Sequence, residues 1–180
     1  MDMIKVFIER YKILSIKKKA IKTLIVGTSG CGKIHIYFYV LMRLLYPLKG
    51  NIFIQGKNYD DLAEKSIREH FAVAFQEHHI FNLSIRDNFK MLYENITDEE
   101  IYKSLENVYL LDFVKQVGLD YIVGNDGNKL SGGQKHRLQL AICLAKQKDI
   151  ILLDEPTAGL DIKTTNNICS NLWKNIKNKR

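Results

Sequence analysis

The chain has 180 residues, 46% of them apolar and 26% charged, which suits one globular domain and excludes a disordered or collagen-like chain. Lys and Arg number 27 against 20 Asp and Glu, and the formal net charge of +7 points to polyanions or a phosphate-bearing ligand without choosing between them. Three cysteines, Cys31, Cys143 and Cys169, are too few and too scattered for a disulfide or zinc framework and fit a reducing compartment.

In chain order, the first strong element is Thr23-Leu24-Ile25-Val26, a short apolar run ending at Gly27. Such a run suits a strand buried on both faces of a parallel sheet. A glycine-rich segment follows, then an apolar stretch from Ile34 to Leu45 closed by Tyr46-Pro47, which reads as a buried helix. Interrupted by His35 and Arg43, it falls short of the ~20 residues of a membrane span. With no signal-like N-terminus, the sequence predicts a soluble chain that reaches a membrane through a partner.

Gly50 to Gly56 reads as a strand bounded by glycines, and Ser84 to Val117 as helical, with Thr97-Asp98-Glu99-Glu100 a helix start bearing acids in its first turn. A Gly- and Asn-rich loop, Gly118 to Lys129, leads to Leu130-Ser131-Gly132-Gly133-Gln134. Beyond it Leu138, Ala141, Ile142 and Ala145 recur on one helical face, and Ile150 to Leu153 is a second buried strand ending in Asp154-Glu155-Pro156. Strands alternating with helices argue for an α/β fold with a largely parallel sheet.

Gly27-Thr28-Ser29-Gly30-Cys31-Gly32-Lys33 fits G-x-x-x-x-G-K between a predicted strand and a helix. Glycines let consecutive backbone N–H groups converge on phosphate oxygens, the helix N-terminus adds partial positive charge, and Lys33 reaches the terminal phosphates. Cys31 fills a position where a small side chain suffices. The next residue departs from the pattern: Ile34 stands where a Ser or Thr hydroxyl would coordinate Mg²⁺.

With the Leu130–Gln134 motif added, the chain resembles the nucleotide-binding domain of an ATP-binding cassette (ABC) protein. The resemblance implies Walker A over 27–33, a Q-loop glutamine at Gln76, the signature motif over 130–134, Walker B ending in Asp154 and Glu155, and a D-loop at Ala158-Gly159-Leu160-Asp161. It assigns ATP to Gly27, Thr28, Ser29, Gly30, Cys31, Gly32, Lys33 and Ile34, and across a dimer interface to Ser131, Gly132, Gly133 and Gln134. Asp154 and Gln76 are the implied Mg²⁺ residues, and Glu155 with Gln76 the catalytic pair. The residues agree independently: a carboxylate at a strand's C-terminal end lies where open α/β sheets bind ligands, and a second beside it can deprotonate an attacking water.

His79 to Asn88 resembles the exporter branch, with an aromatic and an I-x-x-N helix start after the glutamine loop. Tyr121 to Gly127 aligns with the exporter loop before the signature, with Ile122 at its usual acidic position. The 55 positions from Gln76 to Ser131 leave no room for the coiled coil of DNA-repair relatives, so a nucleic-acid partner is not expected. Phe7 and Tyr11 are candidates for stacking on adenine. The chain stops 25 residues after Glu155, and none of its five histidines fits the switch-loop role, so a cassette short at its C-terminus is expected.

The expected architecture is therefore a P-loop NTPase of ABC type, with a mostly parallel core sheet, a small antiparallel β part and an inserted α-helical subdomain. Residues 1–80 and 135–180 form the core with the β part, and 81–134 the helical subdomain ending in the signature. The expected role is an exporter-like ATP-binding subunit, peripheral on the cytoplasmic face of the cell membrane. Its partners are a transmembrane domain and a second nucleotide-binding domain, in a homo- or heterodimer. The alternative is a binding-only cassette that completes a partner's ATP site.

Overall fold

The computed structural model describes residues 3–8, 11–17, 38–47, 49–54, 57–75, 79–146, 148, 150–154, 156 and 159–177. They belong to two compact units, Met1–Phe71 and Ala72–Arg180, taken here in turn. The strand expected at 23–26, the loop 27–33 with Ile34, Gln76 and Glu155 lie outside the described residues.

In the first unit β1 (Met3–Ile8) and β2 (Tyr11–Lys17) pair antiparallel, from Met3 opposite Lys17 to Ile8 opposite Tyr11, with a register shift between Val6 and Ile8. β3 (Ile52–Ile54) takes the other edge of β1, and β4 (Lys57–Asn58) turns back on β3, giving the antiparallel order β2-β1-β3-β4. Asn58 then caps a 3₁₀ turn over Tyr59–Asp61 by accepting from the Asp60 N–H, and α1 (Glu64–Glu69) follows.

The apolar run expected to stay helical to Leu45 is helical over 38–41 and then turns. Arg43 adopts the left-handed region at φ 56°, a conformation that costs a non-glycine residue energy. Its guanidinium donates to the carbonyls of Tyr59, at 2.8 Å, and of Leu62, which holds it there. Leu44, Leu45 and Tyr46 lie past this turn and are exposed.

The second unit begins within β5 (Phe71–Ala74), at Ala72, and β5 pairs with β6 (Ile150–Leu153) in a two-stranded sheet. Between them the segment expected to be helical from 84 to 117 is three helices: α2 (Ile85–Lys90), α3 (Asp98–Asn107) and α4 (Leu111–Val117). Each break has a local cause. Thr97 starts α3 with a capping box, its hydroxyl accepting from the Glu100 N–H while the Glu100 carboxylate accepts from the Thr97 N–H at 2.9 Å. Tyr109, at φ 58°, turns the chain between α3 and α4. Arg86 on α2 reaches Asp98 at 2.9 Å and Asp120 at 2.8 Å, tying two helix starts to the following loop.

Asn88 gives the I-x-x-N pattern a physical role. Buried in α2, it donates to the carbonyls of Ser84 at 2.9 Å and Phe81 at 3.1 Å, and its Oδ1 accepts from the Phe81 N–H at 2.9 Å. Asn88→Ala strands these groups and is expected to lower stability by about 2–3 kcal/mol, read as a shifted urea midpoint at unchanged m-value.

A core of fully buried side chains, among them Ile85, Phe89, Ile101, Leu105, Val114 and Leu138, joins these helices to α5 (Gly132–Leu144). α6 (Ile162–Lys177) adds Ile168 to that core, and Asn171 on it donates to the Asn107 carbonyl at 3.2 Å. Of the helical face read from Leu138, Ala141, Ile142 and Ala145, the first three are buried as expected and Ala145, the C-cap of α5, is half-buried, and a second face is buried too. Cys143 on that second face packs with Ala72, Ala74, Ile151 and Leu153 of the β5–β6 sheet.

Candidate functional site

Two sets of predicted site residues fall among those described: the start of α5 and the end of β6. Ser131, at φ −65° and ψ 159°, is the N-cap of α5. Its hydroxyl accepts from the Gln134 N–H at 3.3 Å, while the Gln134 side-chain oxygen accepts from the Ser131 N–H at 2.8 Å. This reciprocal pair leaves the N–H groups of Gly132 and Gly133 as the donors of an open helix start, where the dipole favours an anion. Among the described residues a Cβ on Gly132 would meet nothing within 4 Å.

Asp154 ends β6. Its N–H donates to the Ala74 carbonyl at 2.9 Å, which fixes the residue to the exit of β5, and it is only 5% exposed. Mg²⁺ is commonly bound through one or two carboxylates plus substrate phosphates. Asp154 offers one oxygen-donor carboxylate of that kind, so the donor chemistry fits the ion. Among the described residues no group of three or more His, Cys, Asp and Glu could hold a metal by itself.

α5 reaches the ends of both strands. Gln139 donates to the Phe75 carbonyl at 3.4 Å, next to Gln76 in the sequence, and His136 Nε2 lies 2.8 Å from the Pro156 carbonyl oxygen. Farther along, Gly159 takes φ 71°, and a Cβ on Gly133 would sit 3.6 Å from Leu160 Cδ2. Asp161 accepts from the Thr164 N–H at 2.9 Å at the start of α6, and hydrogen bonds from the Thr164 side chain and then its N–H hold the Asp161 carboxyl below the usual range. Arg137 donates from Nε to the Gly133 carbonyl at 3.1 Å and from Nη1 to the Tyr109 carbonyl. Burial lowers its guanidinium pKa, against the opposing pull of the Asp161 carboxylate.

The structure thus brings the signature segment beside the chain that leaves β6. Sequence reasoning noted His136 only as a residue of the signature helix. The signal that could have found it is the second helical face of His136, Leu140 and Cys143, spaced i, i+4, i+7, on which one polar residue sits among apolar ones. Ile122 pairs through its backbone with Ser84 and is exposed. Side chains at Phe7 and Tyr11 lie outside the description, as do the phosphate loop, Gln76 and Glu155.

The family model for ABC transporters matches residues 14–158. The β-(1→2)glucan export ATP-binding/permease protein of Agrobacterium vitis is 38% identical over 162 residues, 88% of this chain and 28% of that protein. Its namesake in Bartonella bacilliformis is 36% identical over 154 residues, 84% of this chain and 26% of the relative. The structure of a bacterial Atm1-family ABC exporter with ATP bound is similar at a TM-score of 0.77 and 31% identity, over 82% of this chain and 26% of that one. The chain spans about a quarter of the length of these relatives.

Proposed function

The chain belongs to the ABC transporter family as an exporter-type ATP-binding domain, and from that premise we propose that it binds and hydrolyses ATP in a head-to-tail dimer to drive transport through a transmembrane partner. In this reading the backbone of Gly27 to Gly32 and the Lys33 ammonium cradle the phosphates of one nucleotide. Ser131 and the N–H groups of Gly132 and Gly133 serve the γ-phosphate of the nucleotide held by the second domain. Asp154 and Gln76 would hold Mg²⁺, which when bound would supply positive charge against that developing on the phosphates. Glu155 takes the proton of the water whose oxygen attacks the γ-phosphorus as the ADP oxygen departs.

One observation carries this reading: a capped, anion-type helix start stands in the same chain as a buried strand-end carboxylate, and α5 contacts the segment leaving that strand at Pro156. The relatives' names join an ATP-binding part to a permease, which supports a membrane partner and a place at the cytoplasmic face. Among the described residues no helix is long and apolar enough to cross a membrane.

The test is nucleotide binding. The chain is expected to bind a fluorescent ATP analogue in the presence of Mg²⁺, and Lys33→Ala to weaken binding by about ten- to a hundredfold, the loss of a charge-assisted contact. Equal affinity in the two proteins would sink the reading. Thiol alkylation supplies a second readout. ATP should protect Cys31, while Cys143, buried and with its thiol pushed up to about 12, stays unlabelled with or without nucleotide.

A binding-only cassette is the second reading, and Ile34 is what favours it: a sec-butyl group offers no oxygen to a hard cation. It expects slow phosphate release from the natural chain and a rise of more than about tenfold in Ile34→Ser. If the natural chain turns over as fast as the variant, this second reading falls.

A further inference from the structure

The segment leaving β6 is held at two points by main-chain oxygens. On the near side the Asp154 N–H donates to Ala74, and on the far side the Pro156 carbonyl meets His136 Nε2 at 2.8 Å. Proline has no N–H, so this carbonyl is the single main-chain hydrogen-bonding group that Pro156 possesses. A carbonyl oxygen can only accept, so His136 presents Nε2–H, which fixes its tautomer. His136 is 5% exposed and Pro156 half-buried, so the hydrogen bond is partly buried. Its place on α5 is five residues beyond the Ser131 cap, within the second turn of the helix that the signature motif opens.

We propose that His136 is a positioning residue for the chemistry at the end of β6. By holding the Pro156 carbonyl against α5 it pins Pro156, the residue next to Glu155 in the sequence, and couples that point to the helix start at Ser131. The proposal rests on the ATPase reading above, and in it His136 acts on the nucleotide only through Glu155.

The experiment compares the natural chain with His136→Leu, His136→Asn and His136→Gln by amide exchange across 154–161, ATP affinity and phosphate release. Gln returns an N–H donor at a reach like that of Nε2, whereas the Asn amide falls short of the Pro156 oxygen. In His136→Asn and His136→Leu exchange across 154–161 is expected to quicken by about five- to tenfold and phosphate release to fall by about as much, the loss of one partly buried hydrogen bond. ATP affinity and exchange in α2, α3 and α4 stay as they were, and His136→Gln recovers both losses.

Unchanged exchange in His136→Asn, or a His136→Gln protein as defective as His136→Asn, overturns the proposal. Should His136→Leu loosen the whole chain, the contrast between Asn and Gln decides. If the natural chain releases no phosphate, the hydrolysis reading fails by itself. Exchange that quickens in Asn and recovers in Gln would still uphold the hold of His136 on Pro156, and exchange that does neither would overturn it.

Discussion

Glu155→Gln is expected to slow phosphate release by about 10²–10⁴-fold while leaving ATP affinity within about twofold of the natural chain. The substitution keeps the size of the side chain and its capacity to accept a hydrogen bond from water, but removes the basicity needed to take a proton. Its neighbour in the sequence, Asp154, is buried and anchored to Ala74, which fixes the strand exit just before Glu155 in the chain. Fixed geometry is what lets one proton-transfer group supply a factor of this size. Single-turnover phosphate release, with nucleotide binding measured on the same protein, separates loss of chemistry from loss of substrate. A variant that retains full turnover would remove Glu155 from the reaction.

Phe89→Ala should be the most damaging single change in the helical core. Phe89 is 0% exposed and lies in the cluster that includes Ile85, Ile101, Leu105 and Leu138. Truncating a buried phenylalanine loses its transfer free energy and leaves a cavity, together about 3–5 kcal/mol. Total stability of a domain is about 5–15 kcal/mol, so this change consumes a large part of it. The expected result is a lower urea midpoint at an unchanged m-value, with faster amide exchange in α2 and α3. A loss under about 1 kcal/mol would mean that the neighbours close the cavity.

What the sequence made legible was mostly local. Thr97 and Ser131 each stand three residues before a Glu or Gln, the spacing of a capping box, and both helices start there. The Ile150–Leu153 strand and the loop from Gly118 could be read from an apolar run and from turn residues for the same reason. The division of 84–117 into three helices was not legible, because Tyr109 turns the chain at φ 58° without a glycine or proline to announce it. The early end of the helix at Leu41 depends on Arg43 reaching Tyr59 and Leu62, partners 16 and 19 residues away. Strands β1 and β2 went unread as well, although alternation of Ile4, Val6 and Ile8 with polar or aromatic neighbours carried a signal. The link from His136 to Pro156 spans 20 residues and exists only once α5 has packed beside β6.

The cap at Ser131 has a consequence for how this position can vary. The oxygen of its hydroxyl is engaged as an acceptor from Gln134, which leaves its hydrogen uncommitted to the helix. Folding therefore draws on one half of the group, and an arriving phosphate could use the other without unwinding the first turn. Aspartate would start the helix as well but would set a negative charge against that phosphate, and alanine would lose both halves. Among the other common N-caps only threonine and asparagine keep an acceptor for the backbone and a hydrogen to give away, so tolerance at residue 131 should be narrower than helix stability requires.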